Sequence, residues 1–161
     1  MLNTIKENFN RALFALIFSI ITIGTLSFLS FETPYGLFLA GSFGSSMVLL
    51  FGYSESPFAQ PKNVFFGHLV TSVVGVLILK FLPADQFLQI AIAVGLGIFA
   101  MILLGVTHPP AGGNPIVIIL GAGSYDFLLN PIIFGSIIII IYAIILNRFI
   151  LKKNYPSSWK K

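Results

Sequence analysis

The run Ala12–Phe31, ALFALIFSIITIGTLSFLSF, holds 20 consecutive residues without a charge. A helix rises about 1.5 Å per residue, so a run of this length matches the roughly 30 Å hydrocarbon core of a bilayer. The chain repeats the theme. Tyr35–Tyr53 is apolar but rich in small residues, Val64–Leu79 and Phe87–Val106 are long and greasy, Ile116–Gly123 is short, and a last run goes from Pro131 to about Leu151. Charged residues make up 9% of the sequence, against roughly 25% in a soluble domain. Too little charge is present to cover a water-facing surface, and the class is integral membrane protein. Ala12–Phe31 is too long for a secretory h-region and has no convincing A-x-A cleavage site after it, so it is expected to remain as a span.

Ile116–Gly123 is a different matter. Its 8 residues reach only about 12 Å as a helix, so it is expected to be a half-helix or re-entrant piece shielded by protein. The predicted fold is all-α: a polytopic transmembrane helical bundle with four long spans plus two short, broken or re-entrant segments. The chain, 1–161, reads as a single transmembrane domain. Its halves, about 12–82 and 85–151, share one plan of long helix, Pro-containing break, short segment, loop and long helix. Interrupted hydrophobic segments in corresponding positions point to a transporter's binding site; the abundance of Gly and Pro in membrane helices explains the same pattern without a repeat. Helix starts are predicted where Thr33, Asn114 and Asn130 each precede a proline, and at Asp85.

Charge placement sets orientation and excludes partners. Lys6 and Arg11 precede the first run; Arg148, Lys152, Lys153, Lys160 and Lys161 follow the last. That is the positive-inside pattern, with both termini cytoplasmic, and not a nucleic-acid surface, despite a net charge of +4. Four crossings with two re-entrant pieces and six crossings both satisfy it, because Lys62 favours one and Lys80 the other. Trp159 with Lys160 and Lys161 reads as an interfacial anchor or tail. The absence of cysteine removes disulfides, thiolate metal sites and cysteine nucleophiles.

Chemistry concentrates in Thr107–Pro115, THPPAGGNP, between two apolar runs. A residue before proline is pushed out of helical conformation, so His108 is expected to be extended. Pro109 and Pro110 fix two backbone angles and remove two N–H groups. Gly112 and Gly113 permit positive φ, and Asn114 is positioned to cap a helix opening at Pro115. A helix N-terminus carries roughly half a positive charge and exposed N–H groups, so an anion site without lysine or arginine is predicted there. The other reading is a tight structural turn. His68, inside FFGHLVTSVVG, is an ionisable group within a span, the kind that lines an ion or proton path or bonds a neighbouring helix. Ser45 and Ser46 lie on a small-residue surface suited to helix packing, and Gln60 and Asn63 lie in or beside a polar loop.

These residues resemble the HPP family of integral membrane proteins, named for a His-Pro-Pro signature. The match is Thr107-His108-Pro109-Pro110-Ala111-Gly112, together with GSFGSSMVLLFG (Gly41–Gly52), SPFAQPKN (Ser56–Asn63) and Gly67-His68; it departs at Gly113, where alanine is expected. The resemblance implies a compact four-span bundle, with plant and cyanobacterial members linked to nitrite transport. Carried over, it gives Thr107, His108, Pro109, Pro110, Gly112, Gly113 and Asn114 as substrate-facing candidates, with Ser45, Ser46, Gln60, Asn63 and His68 beside them.

The expected function is therefore a transporter or channel for a small inorganic anion, nitrite first, coupled to protons if uptake is concentrative. A bacterial plasma membrane is the expected location, and a homo-oligomer suits so short a chain. No cofactor and no metal are expected. A small membrane enzyme or a non-transporting scaffold subunit is the alternative; the sequence offers no H-E-x-x-H, no G-x-S-x-G and no P-loop.

Overall fold

In the computed structural model, which describes residues 2–157, the chain is a bundle of helices and loops. Trp159, Lys160 and Lys161, read above as an anchor, lie outside the described residues. Helix α1 runs Leu2–Phe31. After a turn and an extended stretch, α2 spans Gly41–Gly52, its second half widening into π turns. Helix α3, Pro61–Phe81, leads through a short loop to α4, Gln86–Leu103. A 3-10 turn, Pro109–Gly113, feeds the seven-residue α5, Asn114–Leu120. Helix α6, Leu128–Ile150, closes the bundle.

Four of these are long and apolar enough to cross a bilayer: Asn3–Phe31, Pro61–Phe81, Gln86–Leu103 and Leu128–Ile150. Helices α2 and α5 are the two short segments. Both sit among the long ones, where their backbone ends can be satisfied by protein. The orphan carbonyls at the end of α2 are handled in this way. Asn147 on α6 donates its Nδ2–H to the Leu50 carbonyl at 2.8 Å.

Helix α3 is the hub. Buried residues make up 39% of its most apolar window, against 11% in α1, and it packs on α4, α5, α6 and the 3-10 turn. Two cores result. An apolar one, including Leu26, Phe43, Met47, Leu50, Phe51, Ile132, Ile139 and Leu146, joins α1, α2 and α6. A polar one lies between α2, α3, the 3-10 turn and α5. Helix α2 serves both, because Phe43, Met47 and Leu50 share one face while Ser42 and Ser46, four apart, share another.

Bare backbone sets the spacing of these layers. A Cβ added at Gly67 of α3 would lie 2.8 Å from the His108 Cβ, so only glycine lets the His-Pro-Pro turn lie against α3. At Gly135 of α6 a Cβ would come within 2.5 Å of the Phe38 carbonyl and strike the Phe43 ring. Small residues at helix contacts allow such approach.

Several predicted helix starts are corrected. Thr33-Pro34 opens no helix; the Thr33 hydroxyl instead bonds back to the Leu29 carbonyl at 2.6 Å, closing α1, and α2 starts only at Gly41 after Ala40. Asp85 precedes α4 but makes no side-chain cap bond. Asn130 lies within α6 at a kink of extended backbone, φ −119° and ψ 117°, before a cis peptide bond to Pro131. Its amide reaches Tyr35 across the bundle rather than its own helix end. Gly135→Ala is expected to destabilise the folded protein by about 1–3 kcal/mol. Gly24→Ala, where nothing lies within 4 Å, is expected to leave the melting temperature in detergent unchanged or slightly raised.

Candidate functional site

The polar core begins with His68 on α3, fully buried, with Thr71 and Ser72 one turn further on the same face. Ser46 on α2 faces it. His108, also fully buried, approaches from the 3-10 turn with extended backbone, φ −135° and ψ 98°, as its place before Pro109 requires. Ser46 Oγ lies 3.1 Å from His68 Nε2 and 2.9 Å from His108 Nε2, so one hydroxyl bridges two imidazoles. The ring centroids are 4.9 Å apart, and Phe43 meets His68 edge-on at 5.0 Å.

The far ring nitrogens are held too. His108 Nδ1 lies 2.7 Å from the Phe58 carbonyl, and Asn114 Nδ2 lies 3.1 Å from His68 Nδ1. A carbonyl only accepts and an amide nitrogen only donates, and these two ends fix the protons in between. His108 Nδ1 carries hydrogen, so in the uncharged ring Nε2 is the acceptor and takes the Ser46 hydroxyl hydrogen. The Ser46 oxygen is then free to accept from His68 Nε2–H, and His68 Nδ1 accepts from Asn114. The competing acceptor for Ser46, its own helix's Ser42 carbonyl, lies further away at 3.1 Å. Every bond in the series points the same way, from Asn114 toward Phe58.

Asn114 does not cap a helix as expected. Asn114 is the first residue of α5 rather than its cap, because the 3-10 turn runs directly into the helix and the Asn114 N–H donates to the Ala111 carbonyl. The Asn114 side chain turns into α3, with His68 Nδ1, the His68 carbonyl, Thr71 Oγ1 and Ser72 Oγ all within 3.3 Å of its Nδ2. Gly112 and Gly113 are not among the positive-φ glycines; Gly113 has φ −80°, as the 3-10 turn demands.

The remaining predicted residues separate. Ser45, Pro109, Pro110 and Gly113 line an open groove of about 600 Å³ with Val48 and Leu49, outside the polar core. Asn63 donates to the Thr107 carbonyl at 2.9 Å and ties the turn to α3. Thr107 reaches only the Met101 carbonyl. Gln60 bonds the Ser54 and Ser56 carbonyls and holds the loop before α3 in shape. Thr71, Ser72 and the Phe58 carbonyl were not foreseen. The two hydroxyls had a legible signal, three and four residues beyond His68; the carbonyl had none.

The HPP transmembrane-region family model matches residues 4–156. The chain belongs to the HPP transmembrane family. One relative, a transmembrane protein of Dictyostelium discoideum, is 36% identical over 128 residues, covering 75% of this chain and 45% of that protein. A second from the same organism is 37% identical over 130 residues, covering 76% and 42%. The HPP chain thus spans less than half the length of these curated relatives. No solved structure matches it.

In this HPP chain the His-Pro-Pro signature puts the histidine inside and the prolines at a groove. Metal binding would need further ligands. Among the described residues no cluster of three His, Cys, Asp or Glu side chains exists, whereas tetrahedral zinc takes at least three protein ligands. A strap from the C-terminal end secures the loop that carries Phe58. Buried Tyr155 donates its hydroxyl to the Ala59 carbonyl at 2.9 Å, and the Ser157 N–H donates to Gln60 Oε1 at 2.9 Å. Burial pushes the Tyr155 phenol up, disfavouring its charged form.

Tyr155→Phe is expected to lower stability by about 0.5–1.5 kcal/mol at neutral pH through the lost bond. A raised phenol contributes stability that is fully present below the unfolded-state value of about 10 and fades as pH climbs beyond it. Denaturation curves of wild type and variant should therefore converge at alkaline pH. Asn114→Leu, which strips His68 Nδ1 of its donor, should cost about 1–3 kcal/mol in the same assay.

Proposed function

We propose that this HPP chain carries a small inorganic anion across a bilayer, with nitrite the first substrate to test. The observation that supports this reading is the contact of His68, Ser46 and His108 in the bundle interior. Ionisable groups in spanning helices face interiors and mark solute or proton paths. A passing anion needs N–H and O–H donors rather than a full positive charge to leave again. Ser46, His68 Nε2–H and Asn114 supply such donors once the bridging hydroxyl turns aside. The support comes from side chains, not from the α5 terminus.

The basic ends favour both termini on the cytoplasmic side of a plasma membrane. Moving one negative charge inward against an interior-negative potential costs about 2.3 kcal/mol per 100 mV. Export, or uptake coupled to a cation, meets that demand.

The test is nitrite flux in proteoliposomes of purified protein. Wild type is expected to move nitrite well above protein-free vesicles. His108→Ala is expected to reduce the rate at least about tenfold, equivalent to ~1.4 kcal/mol, with an unchanged size-exclusion profile. Wild-type flux equal to that of protein-free vesicles would contradict the proposal.

A further inference from the structure

The geometry points to a directed proton relay through His68, Ser46 and His108, making the proton a second cargo of this protein. The inference rests on the transport reading for its anion but has its own footing in the hydrogen-bond series. Two imidazoles separated by one hydroxyl, at 3.1 and 2.9 Å, form a path on which each group both accepts and donates. The two ends break the symmetry. The Phe58 carbonyl obliges His108 to present Nδ1–H outward to the loop, and the Asn114 amide obliges His68 to present a lone pair at Nδ1.

The transfer balances. A proton from hydronium or a protonated solute bonds to His68 Nδ1. The His68 Nε2–H bond breaks as a new O–H bond forms on Ser46. The original Ser46 O–H bond breaks as Nε2–H forms on His108, and the His108 Nδ1–H bond breaks as its proton bonds to water or a solute base reaching the Phe58 loop. One proton arrives, one leaves, and no electrons are exchanged. Ser46 and the two rings must then turn to restore the starting order.

Arrival at Nδ1 requires the Asn114 amide to yield it. That amide has two hydrogens and four acceptors within 3.3 Å, so it can shift to Thr71 and Ser72 and remain bonded. Among the described residues, no other titratable side chain is hydrogen-bonded to either ring. The titratable group facing each histidine is the other histidine. Across α2, α3, α4, α5, the 3-10 turn and the loop 53–60, the other ionisable side chains are Tyr53, Glu55, Lys62 and Lys80, all exposed. Helix α1 adds exposed Lys6, Glu7 and Arg11, and α6 adds half-buried Tyr142 and exposed Arg148. The strap adds exposed Lys152 and Lys153 and buried Tyr155, whose hydroxyl is held by the Ala59 carbonyl. Among the described residues no carboxylate is hydrogen-bonded to either ring, so no fixed counter-ion holds a proton on the relay.

The experiment uses proteoliposomes with a trapped pH-sensitive dye. One arm applies a potassium diffusion potential with valinomycin and no nitrite; the other applies a nitrite gradient, with protein-free vesicles subtracted in both. Wild type should move protons in at least one arm. Ser46→Ala should reduce protons moved, per nitrite in the second arm or per protein in the first, by at least about tenfold. Ser46→Thr, which keeps the hydroxyl, should restore them.

Proton movement at the protein-free level in both arms, or Ser46→Ala retaining wild-type values, overturns the relay. Nitrite moving without protons overturns the relay and leaves anion transport standing; protons moving without nitrite does the reverse. Should Ser46→Ala fail to fold, wild type in heavy water decides. Slower proton movement supports the relay, and an unchanged rate contradicts it.

Discussion

A serine hydroxyl has one hydrogen to give, and in this bundle it stands between two histidines that each need a partner. Ser46 resolves the conflict by donating to one ring and accepting from the other, which requires the rings to hold opposite tautomers. Those tautomers are set from outside, by the Phe58 carbonyl at one end and the Asn114 amide at the other. In hydrocarbon, a polar group left without a partner is costly. The four elements that carry these groups are therefore locked to one another: α2 by Ser46, α3 by His68, the His-Pro-Pro turn by His108, and α5 by Asn114.

The architecture around the cluster follows from that demand. His108 reaches Ser46 only because Gly67 removes the side chain that would hold the turn away from α3. Helix α5 is too short to span and works as a support, its first side chain bonded into α3. The C-terminal strap reaches the same centre indirectly, since Tyr155 and Ser157 hold the loop from which the Phe58 carbonyl projects. Apolar packing among α1, α2 and α6 supplies bulk, and the polar contacts supply the register. The span 4–156 matched by the HPP family model includes Ser46, Phe58, Gly67, His68, His108, Asn114 and Tyr155, and ends one residue before Ser157.

Much of this was legible in the sequence. Run length and missing charge predict the four spans, and the short α5 follows from the inability of Ile116–Gly123 to reach across a bilayer. His108 in extended backbone follows from the proline after it. The failures share a cause. Adjacent pairs such as Thr33-Pro34 and Asn114-Pro115 read as caps, whereas the actual partner of Asn114 is α3, some 40 residues earlier in the chain. Thr33 met a carbonyl at the end of its own helix. Polar side chains in a membrane protein bond wherever the fold brings an acceptor, and tertiary contacts of that kind have no local signature. The Phe58 carbonyl illustrates the limit, because a backbone oxygen carries no sequence signal at all. Ser45 and Ser46 were indistinguishable as letters, yet a rotation of about 100° around α2 leaves one at a groove and the other between two histidines.

The most direct examination of this account is the protonation of each imidazole nitrogen, read by nitrogen-15 solid-state NMR of histidine-labelled protein in bilayers near neutral pH. With His68→Asn used to assign the signals, the account expects the hydrogen on Nε2 of His68 and on Nδ1 of His108. The same tautomer in both rings, or a bare Nδ1 on His108, would contradict it.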